Sequence, residues 1–238
     1  MKQLALDLAA PPAPAYDNFV PGSNAELLAR LRTLMLAGDG ERMIYLWGER
    51  GSGRTHLLKA SVKDRHQRGE RAFYLACEPG VALPEGPEPF DCVALDDVER
   101  LDEGAQIALF HLYNTMRERG GTLITSGNAP PAQLALRPDL VTRLGWGLVY
   151  RVQALSDDDK AEALAGRAGA LGFPLPHAVG DYLLAHVRRD LPSLLAMLDG
   201  LDRYSRETKR AVTVPLVREF IQAVEAGSPP VLPRGDRD

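Results

Sequence analysis

The stretch that decides the fold of this chain is Gly48-Glu49-Arg50-Gly51-Ser52-Gly53-Arg54-Thr55. It matches the phosphate-binding loop G-x-x-x-x-G-K-[ST] at every fixed position but one, where Arg54 stands in place of the lysine. In such a loop the glycines let backbone N–H groups point at phosphate oxygens, and the positive end of the following helix adds to the attraction. The alternative is a plain glycine-rich turn that binds nothing.

The sequence on either side favours the phosphate-binding interpretation. Residues 43–47 form a short apolar run of the strand type that leads directly into the loop, and apolar residues at helical spacing follow it. We therefore predict a strand, a loop and a helix that together bind a nucleotide, with the Thr55 hydroxyl placed to hold Mg²⁺. The residues predicted to hold the phosphates are Gly48, Gly51, Ser52, Gly53, Arg54, Thr55 and His56.

Arg54 bears on what the chain does with that nucleotide. A guanidinium pairs with phosphate, often bidentately, but it is planar and bulkier than an ammonium. We expect Arg54 to preserve affinity for ADP or ATP and to impair in-line hydrolysis, so the sequence leaves open whether the chain is an ATPase. A compositional explanation stands beside this one, because only five of the 28 basic residues are lysines.

Composition bounds the class of protein. With 238 residues and 45% apolar side chains the chain fits one large domain or two small ones, and its net charge of −4 gives no global basic field for nucleic acid. Cys77 and Cys92 lie in or beside apolar runs and are predicted to be buried free thiols of a reducing compartment. The histidines show no metal-ligand spacing, and no signal peptide or membrane span is visible, so we expect a cytoplasmic protein.

Apolar strands alternate with helical segments from Tyr16 onward, which predicts a doubly wound parallel α/β sheet with helices on both faces. After Leu155 the strand signals stop, and helical patterns predict a small all-α subdomain, or lid. The predicted organisation is a flexible tail over 1–15, an α/β nucleotide-binding domain over 16–153, the lid over 154–227 and a disordered tail over 228–238. Strands are predicted at 43–47, 72–76, 92–95, 122–125 and 148–150, and lid helices at 157–171, 178–187, 191–205 and 214–226.

Asp96 and Asp97 follow the strand that begins at Cys92. A carboxylate delivered by an apolar strand to the carboxyl edge of a parallel sheet is the second half of a phosphate-loop site. Asp96 is predicted to orient Mg²⁺, by way of its waters, and Asp97 to orient the attacking water. The alternative is an acidic turn, since aspartate is common at strand ends.

Three further features carry both a functional and a plain interpretation. Ser126 or Asn128, after the fourth strand, can sense a terminal phosphate or belong to a simple turn. Arg143, in a segment that Leu140, Leu144 and Trp146 are expected to anchor, can complete another subunit's active site or form a surface salt bridge. Arg189 can reach bound phosphates, or Arg188 and Arg189 can both be solvated residues on an exposed helix.

The N-terminal segment over residues 3–8, Gln3-Leu4-Ala5-Leu6-Asp7-Leu8, places apolar side chains on one face although no core is near it in sequence. The plain interpretation is an edge strand or a frayed end. The sharper one is a short linear motif that docks in a groove of a partner.

Taken in order, these residues resemble the AAA+ family: the loop, Asp96-Asp97, a polar fourth-strand end, Arg143 before the fifth strand, and a helical lid with Arg189. Within that family the chain is similar to the DnaA-related branch, because residues 16–24 resemble the segment of that branch that runs beside the adenine. The loop arginine, the N-terminal hexapeptide and the expected lack of a C-terminal helix-turn-helix DNA-binding domain are similar to the regulatory inactivators of DnaA. The resemblance covers residues 16 to about 226, plus the hexapeptide.

The resemblance implies a role for each matching residue. Asn18, Phe19 and Val20 would contact adenine, Ser126 or Asn128 would be the first sensor, and Arg189 the second. Arg143 would act in trans as an arginine finger. The clamp-binding residues would be Gln3, Leu4, Leu6 and Leu8. Two departures from the wider family, Arg54 for lysine and Asp97 for glutamate, put hydrolysis by the chain itself in doubt.

The function that the resemblance implies is negative regulation of chromosome replication initiation. An ADP-bound form with Mg²⁺ would sit on the DNA polymerase III sliding clamp (the beta subunit), touch DNA only through that clamp, and stimulate hydrolysis of DnaA-bound ATP. Self-association is also consistent with the family. Two rivals remain at this stage: an autonomous ATPase such as a helicase loader, and a clamp-bound adaptor that stimulates nothing.

Overall fold

The computed structural model describes residues 13–36, 40–84, 90–188 and 190–225. Within these ranges the chain divides into two compact units, one ending at Leu155 and one beginning at Ser156. Several sequence-based predictions lie outside the described residues: the segment over 3–8 with most of the 1–15 tail, Arg189, and the tail over 228–238.

The first unit is an α/β domain in which the five predicted strands are all present. Its elements are α1 (Ala25–Leu36), β1 (Met43–Trp47), α2 (Arg54–Gln67), β2 (Ala72–Ala76), β3 (Cys92–Asp96), α3 (Glu103–Glu118), β4 (Thr122–Gly127), α4 (Pro138–Trp146) and β5 (Leu148–Arg151). Short 3₁₀ turns at Tyr16–Asn18, Gly22–Asn24, Val98–Arg100 and Pro131–Gln133 connect them.

The strands form one parallel sheet in the order β2-β3-β4-β1-β5. In the register of this sheet Trp47 pairs with Gly127, and Ala76 pairs with Asp96. The carboxyl ends of β1, β3 and β4 therefore meet at one edge, which is where open α/β sheets bind ligands. The predicted doubly wound parallel sheet is confirmed.

Alternate side chains of each strand enter two separate cores, one on either face of the sheet. Tyr45 of β1 packs on the face that α3 and α4 cover, whereas Leu46 packs on the face covered by α1 and α2. Cys77 and Cys92 lie in opposite cores as buried free thiols, as predicted, and burial raises the pKa of each to about 12. The cysteines therefore serve as small apolar side chains.

Helix α4 was not predicted, because the two glycines near its end argue against a helix. Pro138 at its first turn favours initiation, and Leu140 and Leu144, four residues apart, are both buried against the sheet. The expectation that Trp146 anchors the segment is wrong, since its side chain is 54% exposed. At helical spacing, position 146 lies on a different face from 140 and 144.

The second unit is all-helical and has its own core. Its helices are α5 (Asp157–Leu171), α6 (His177–His186), α7 (Leu191–Thr208) and α8 (Val214–Glu225). Ser156 and Asp159 form a capping box at the start of α5, and Asp190 caps α7. Leucines from all four helices, together with Phe220, fill the core between them, so the predicted run of helices is present.

None of the helices in the described ranges has the length and hydropathy needed to cross a membrane. Nor do the described residues bring three or more histidine, cysteine, aspartate or glutamate side chains together as a metal site.

One side chain fastens the beginning of the α/β unit to its end. Asn24 is 3% exposed; its Nδ2 donates to the Gln153 carbonyl at 2.8 Å, and its Oδ1 accepts from the Gln153 N–H at 2.7 Å. The two residues are 129 positions apart, so this amide bridge holds the N-terminal segment against the chain after β5.

We predict that Asn24→Ala lowers the free energy of unfolding of the α/β unit by about 1–3 kcal/mol, because it removes both hydrogen bonds between the buried Asn24 amide and the Gln153 backbone. Both tryptophans, Trp47 and Trp146, lie in this unit, so urea unfolding followed by tryptophan fluorescence reports on it. Thr33→Ala, which removes an exposed hydroxyl bonded to Ala29, is the control and should cost less than about 0.5 kcal/mol. Equal effects of the two substitutions would contradict the bridge.

Candidate functional site

The loop between β1 and α2 adopts the geometry that its glycines permit. Gly51 has φ +84° and Gly53 has φ +105°, both in the left-handed region that favours glycine. A Cβ on Gly53 would also lie 2.7 Å from Cε2 of Phe19, so the N-terminal segment packs directly on the loop. Helix α2 begins immediately afterwards, at Arg54.

The loop presents donors without partners. The N–H of Leu57 makes the first helical hydrogen bond of α2, to Gly53 at 3.0 Å, which leaves the preceding N–H groups of the first turn available. The Oγ of Ser52 is buried and has no hydrogen-bond partner among the described residues. Orphaned donors at a helix N-terminus are the chemistry that an anionic oxygen satisfies.

Asp96 is the hub of the polar side chains at the sheet edge. Its buried carboxylate accepts hydrogen bonds from the Thr55 hydroxyl at 2.6 Å, from the Tyr74 hydroxyl at 2.9 Å, and from Ser126 Oγ. These donors come from α2, β2 and β4, so one side chain links three elements. A hydroxyl beside a carboxylate is an oxygen pair suited to Mg²⁺ and its waters.

Asp97 contacts the arginine of the loop. Arg54 Nη1 lies 2.8 Å from Asp97 Oδ1, and the Arg54 side chain is only 9% exposed. Asp97 itself has φ +58°, a left-handed conformation that is uncommon outside glycine, asparagine and aspartate. Its N–H donates to Ser126 Oγ at 3.0 Å, which fixes the turn after β3.

The two candidates for the first sensor occupy different environments. Ser126 is fully buried and bonds to both Asp96 and the Asp97 backbone, whereas the side chain of Asn128 is exposed beyond the end of β4. Ser126 thus holds the two acidic residues in register, and Asn128 is the one that faces solvent.

The predicted adenine segment packs beside the loop. The Phe19 ring lies 5.4 Å from the His56 ring, centroid to centroid, and His56 Nε2 lies 2.9 Å from the Ala15 carbonyl. Burial lowers the pKa of His56, so the imidazole is neutral and Nε2–H donates to that carbonyl. Asn18 uses its amide locally, bonding to Ala13 and Ala15, while Val20 is half-buried.

This chain is similar to known proteins in its lid sequence and in its fold. Residues 157–221 match the family model described as the lid domain of Hda. Domain III of the replication initiation protein DnaA from Thermotoga maritima superposes with a TM-score of 0.70 at 20% identity, over 89% of this chain and 96% of that one. AMPPCP-bound DnaA from Aquifex aeolicus gives 0.66 at 21%, over 91% and 74% of the two chains. A RuvB variant from Thermotoga maritima gives 0.65 at 14%, over 90% and 73%.

The chain is thus similar to Hda over its lid and to DnaA in its fold. The fold prediction, a phosphate-loop α/β domain followed by a helical lid, is thereby confirmed.

The AAA+ fold implies a nucleotide with Mg²⁺, and the residues present fit both. The orphaned Ser52 hydroxyl and the first-turn N–H groups of α2 suit phosphate oxygens, and the Thr55–Asp96 pair suits the cation. The nucleotide would supply the phosphoanhydride, and Mg²⁺ would neutralise its charge. The cradle is narrow, since a Cβ on Gly48 would lie 2.3 Å from the Val152 carbonyl.

Arg143 lies on α4, far in sequence from the phosphate loop, and its half-buried side chain packs against aromatic rings. Its guanidinium is 4.1 Å from the Trp146 ring centroid and 5.3 Å from that of Phe110. Arg143 makes no ion pair with any residue that the structure describes, so no acceptor for the predicted surface salt bridge is present among those residues. Trp146 is also within 5.6 Å of Arg117, which leaves one exposed ring flanked by two cations.

In the lid, the neighbour of the predicted second sensor is described although Arg189 is not. Arg188 is exposed and lies 3.4 Å from Asp190, the capping residue of α7. Arg188 is therefore a solvated surface residue, and the role of Arg189 stays a prediction.

Sequence analysis missed three side chains that line the sheet edge. Tyr74 bonds to Asp96, and burial raises the pKa of its hydroxyl so that it stays a donor. The Tyr45 hydroxyl donates to the Ala129 carbonyl at 2.8 Å, just after the end of β4. Glu99, in the turn after Asp97, has a buried Oε2 with no hydrogen-bond partner among the described residues. An acidic residue two positions after Asp97 is the one signal that could have suggested Glu99.

Burial raises the pKa of Glu99, and the negative charge of Asp97 raises it further, whereas Arg54 lowers it. A carboxyl whose pKa is higher in the folded state favours folding only while it is protonated. Its ionisation therefore lowers stability as the pH rises from the usual value for glutamate, about 4.3, through the folded value.

We predict that Glu99→Gln raises the melting temperature near pH 7 by about 1–3 °C, a modest effect because water still reaches this half-buried group. The gain should vanish near pH 4, where wild type already carries the proton. Thermal unfolding followed by tryptophan fluorescence at both pH values measures it, with exposed Glu118→Gln as control. A gain that is independent of pH would contradict this account of Glu99.

Proposed function

We propose that this chain is a negative regulator of replication initiation: an ADP-bound AAA+ protein that stimulates hydrolysis of ATP on DnaA. The observation that carries the proposal is the match of residues 157–221 to the Hda lid domain. The DnaA structure from Aquifex aeolicus, solved with AMPPCP, supports an adenine nucleotide as the ligand.

In this proposal the loop of this chain holds ADP and Mg²⁺ without turning over ATP efficiently. Arg54 replaces the lysine that would neutralise a terminal phosphate, and it is already engaged with Asp97. The N–H groups of the loop, with Ser52 and Thr55, bind phosphates, and Asp96 orients the cation. The bound nucleotide then stabilises the α/β unit and holds Phe19 and Val20 in place.

Arg143 is the proposed arginine finger. Arg143 has no acidic partner among the described residues, so its charge is available to a phosphate of another protein. Its stacking on the exposed Trp146 keeps the charge near the surface of α4. Placed against the phosphates of a neighbouring nucleotide, such an arginine stabilises developing negative charge and accelerates hydrolysis by about 10³–10⁵.

The remaining parts of the proposal place the protein at the replisome. Gln3, Leu4, Leu6 and Leu8 would bind the beta sliding clamp, so that DNA is contacted through the clamp and hydrolysis on DnaA follows clamp loading. The protein would act in the cytoplasm, and Arg189 would contact the nucleotide from the lid. A self-associated, inactive form of the chain is compatible with this proposal.

The test is hydrolysis of DnaA-bound ATP with DNA-loaded clamp, ADP and this protein. We predict that Arg143→Ala reduces the stimulated rate to that of DnaA alone, because the charge is supplied in trans. Arg117→Ala is the matched control, since that arginine flanks the same Trp146 ring, and it should retain most of the stimulation. Gln3→Ala should require much more protein for the same rate, because the tether is weakened.

Other outcomes separate the rivals. Turnover by this chain alone that Asp96→Ala abolishes would establish an autonomous ATPase in place of the regulator. Full stimulation by Arg143→Ala, with loss in Gln3→Ala, would establish a clamp-bound adaptor. No stimulation by wild type would refute the regulatory proposal outright.

A second prediction concerns the cation. Asp96→Asn should make ADP binding independent of Mg²⁺, because the only carboxylate bonded to Thr55 within the described residues is lost. Titration of a fluorescent ADP analogue with Mg²⁺ or with EDTA measures this, and the variant in Mg²⁺ should match wild type in EDTA. Asp91→Asn, just before the opposite end of β3, is the control and should keep the dependence. Retained dependence in Asp96→Asn would exclude Asp96 as the group that orients Mg²⁺.

A further inference from the structure

Arg54 of the loop forms an ion pair with Asp97, the carboxylate predicted to orient the attacking water. Arg54 Nη1 and Asp97 Oδ1 are 2.8 Å apart, and both atoms are shielded from solvent. Neither makes an aligned hydrogen bond with a described residue, so the pair is held by charge and by its surroundings. In a shielded place this attraction is stronger than at the surface.

The structure fixes the acidic partner of this pair. The left-handed backbone of Asp97, with φ +58° and ψ +55°, is maintained by the hydrogen bond from its N–H to Ser126 Oγ. With this backbone the Asp97 carboxylate contacts Arg54, the first residue of α2. A strained backbone of this kind persists only where neighbouring contacts enforce it.

A second carboxyl lies behind the pair. A Cβ on Gly127 would lie 2.0 Å from the Tyr45 hydroxyl and 3.3 Å from Glu99 Oε2, so Glu99 and Tyr45 close the space at the end of β4. Arg54 is thus one cation near two carboxyls, Asp97 and Glu99. Taking its charge away would leave both carboxyls in a poorly solvated place, which is costly.

A nucleoside diphosphate and a nucleoside triphosphate would interact differently with the Arg54–Asp97 ion pair. A diphosphate needs only part of the guanidinium, whose five N–H donors can serve a phosphate oxygen and a carboxylate together. A third phosphate adds negative charge near the Arg54–Asp97 pair, because Arg54 occupies the motif position whose side chain reaches the terminal phosphates. It must either approach that carboxylate or draw Arg54 away from it, and both cost free energy.

We propose that Asp97, through its ion pair with Arg54, is the residue that makes this site prefer a nucleoside diphosphate to a triphosphate. The inference rests on the proposed nucleotide binding and goes beyond it by assigning the selectivity to one side chain. Asp97 is then a specificity residue of the resting site, in addition to any part in orienting water.

The test is competition of ADP and of AMPPCP, which is not hydrolysed at its terminal linkage, against a fluorescent ADP analogue on the full chain with Mg²⁺. Wild type should bind ADP at least about tenfold more tightly. Asp97→Asn, which tolerates the left-handed backbone, should tighten AMPPCP about tenfold and change ADP less than about twofold. Asp97→Gly, which also accepts this backbone, should shift the ratio in the same direction. Asp91→Asn should leave it at the wild-type value.

The outcomes separate this inference from the proposed function. Wild type that binds both nucleotides equally, or Asp97 variants that keep the full preference, would overturn the inference and leave nucleotide binding intact. Failure of wild type to bind either nucleotide would refute the site itself. Tryptophan fluorescence of each variant verifies that the α/β unit is folded, and the two Asp97 variants provide independent measurements.

Discussion

The polar edge of the sheet depends on one buried carboxylate. Asp96 accepts hydroxyl hydrogen bonds from Thr55 of α2, Tyr74 of β2 and Ser126 of β4, so it connects the phosphate loop to two strands on either side of its own. A charged group in that position is stable only because three donors surround it. The hydrogen bond from Thr55 also positions the loop, because Thr55 lies in the first turn of α2, directly after the loop glycines.

Replacement of lysine by arginine changes the site beyond the charge that both side chains carry. A lysine presents a compact ammonium, whereas Arg54 extends a planar fork that meets Asp97. Asp97, the carboxylate that a hydrolytic enzyme would use to orient water, is held in this ion pair, and Glu99 is close enough to interact electrostatically with both partners. Binding without efficient turnover and donation of Arg143 to a partner's nucleotide are therefore compatible properties in the proposed regulator.

Much of the architecture was predictable, because continuous apolar strands and the glycine loop are local signals. The parallel sheet follows from them, and the four lid helices follow from the helical periodicity after Leu155. Helix α4 did not, since Gly145 and Gly147 obscure a periodicity that only Leu140 and Leu144 reveal. The contact between Arg54 and Asp97 also escaped prediction, because it depends on a left-handed turn that one sequence does not specify. Glu99 belongs to no motif, and its surroundings are formed by the end of β4, which is distant from it in the sequence.

The order of strands in the sheet also has a consequence for synthesis on the ribosome. Strand β1 is the first to be made, yet its neighbours are β4 and β5, the last two. The Asn24 bridge must likewise wait for Gln153, 129 positions later. Until about that length has left the exit tunnel, the phosphate loop lacks the strands that flank β1, and the apolar surfaces of β1 and α2 stay uncovered. Such late, non-local closure slows folding and prolongs the time during which apolar surface of the nascent chain is exposed to aggregation.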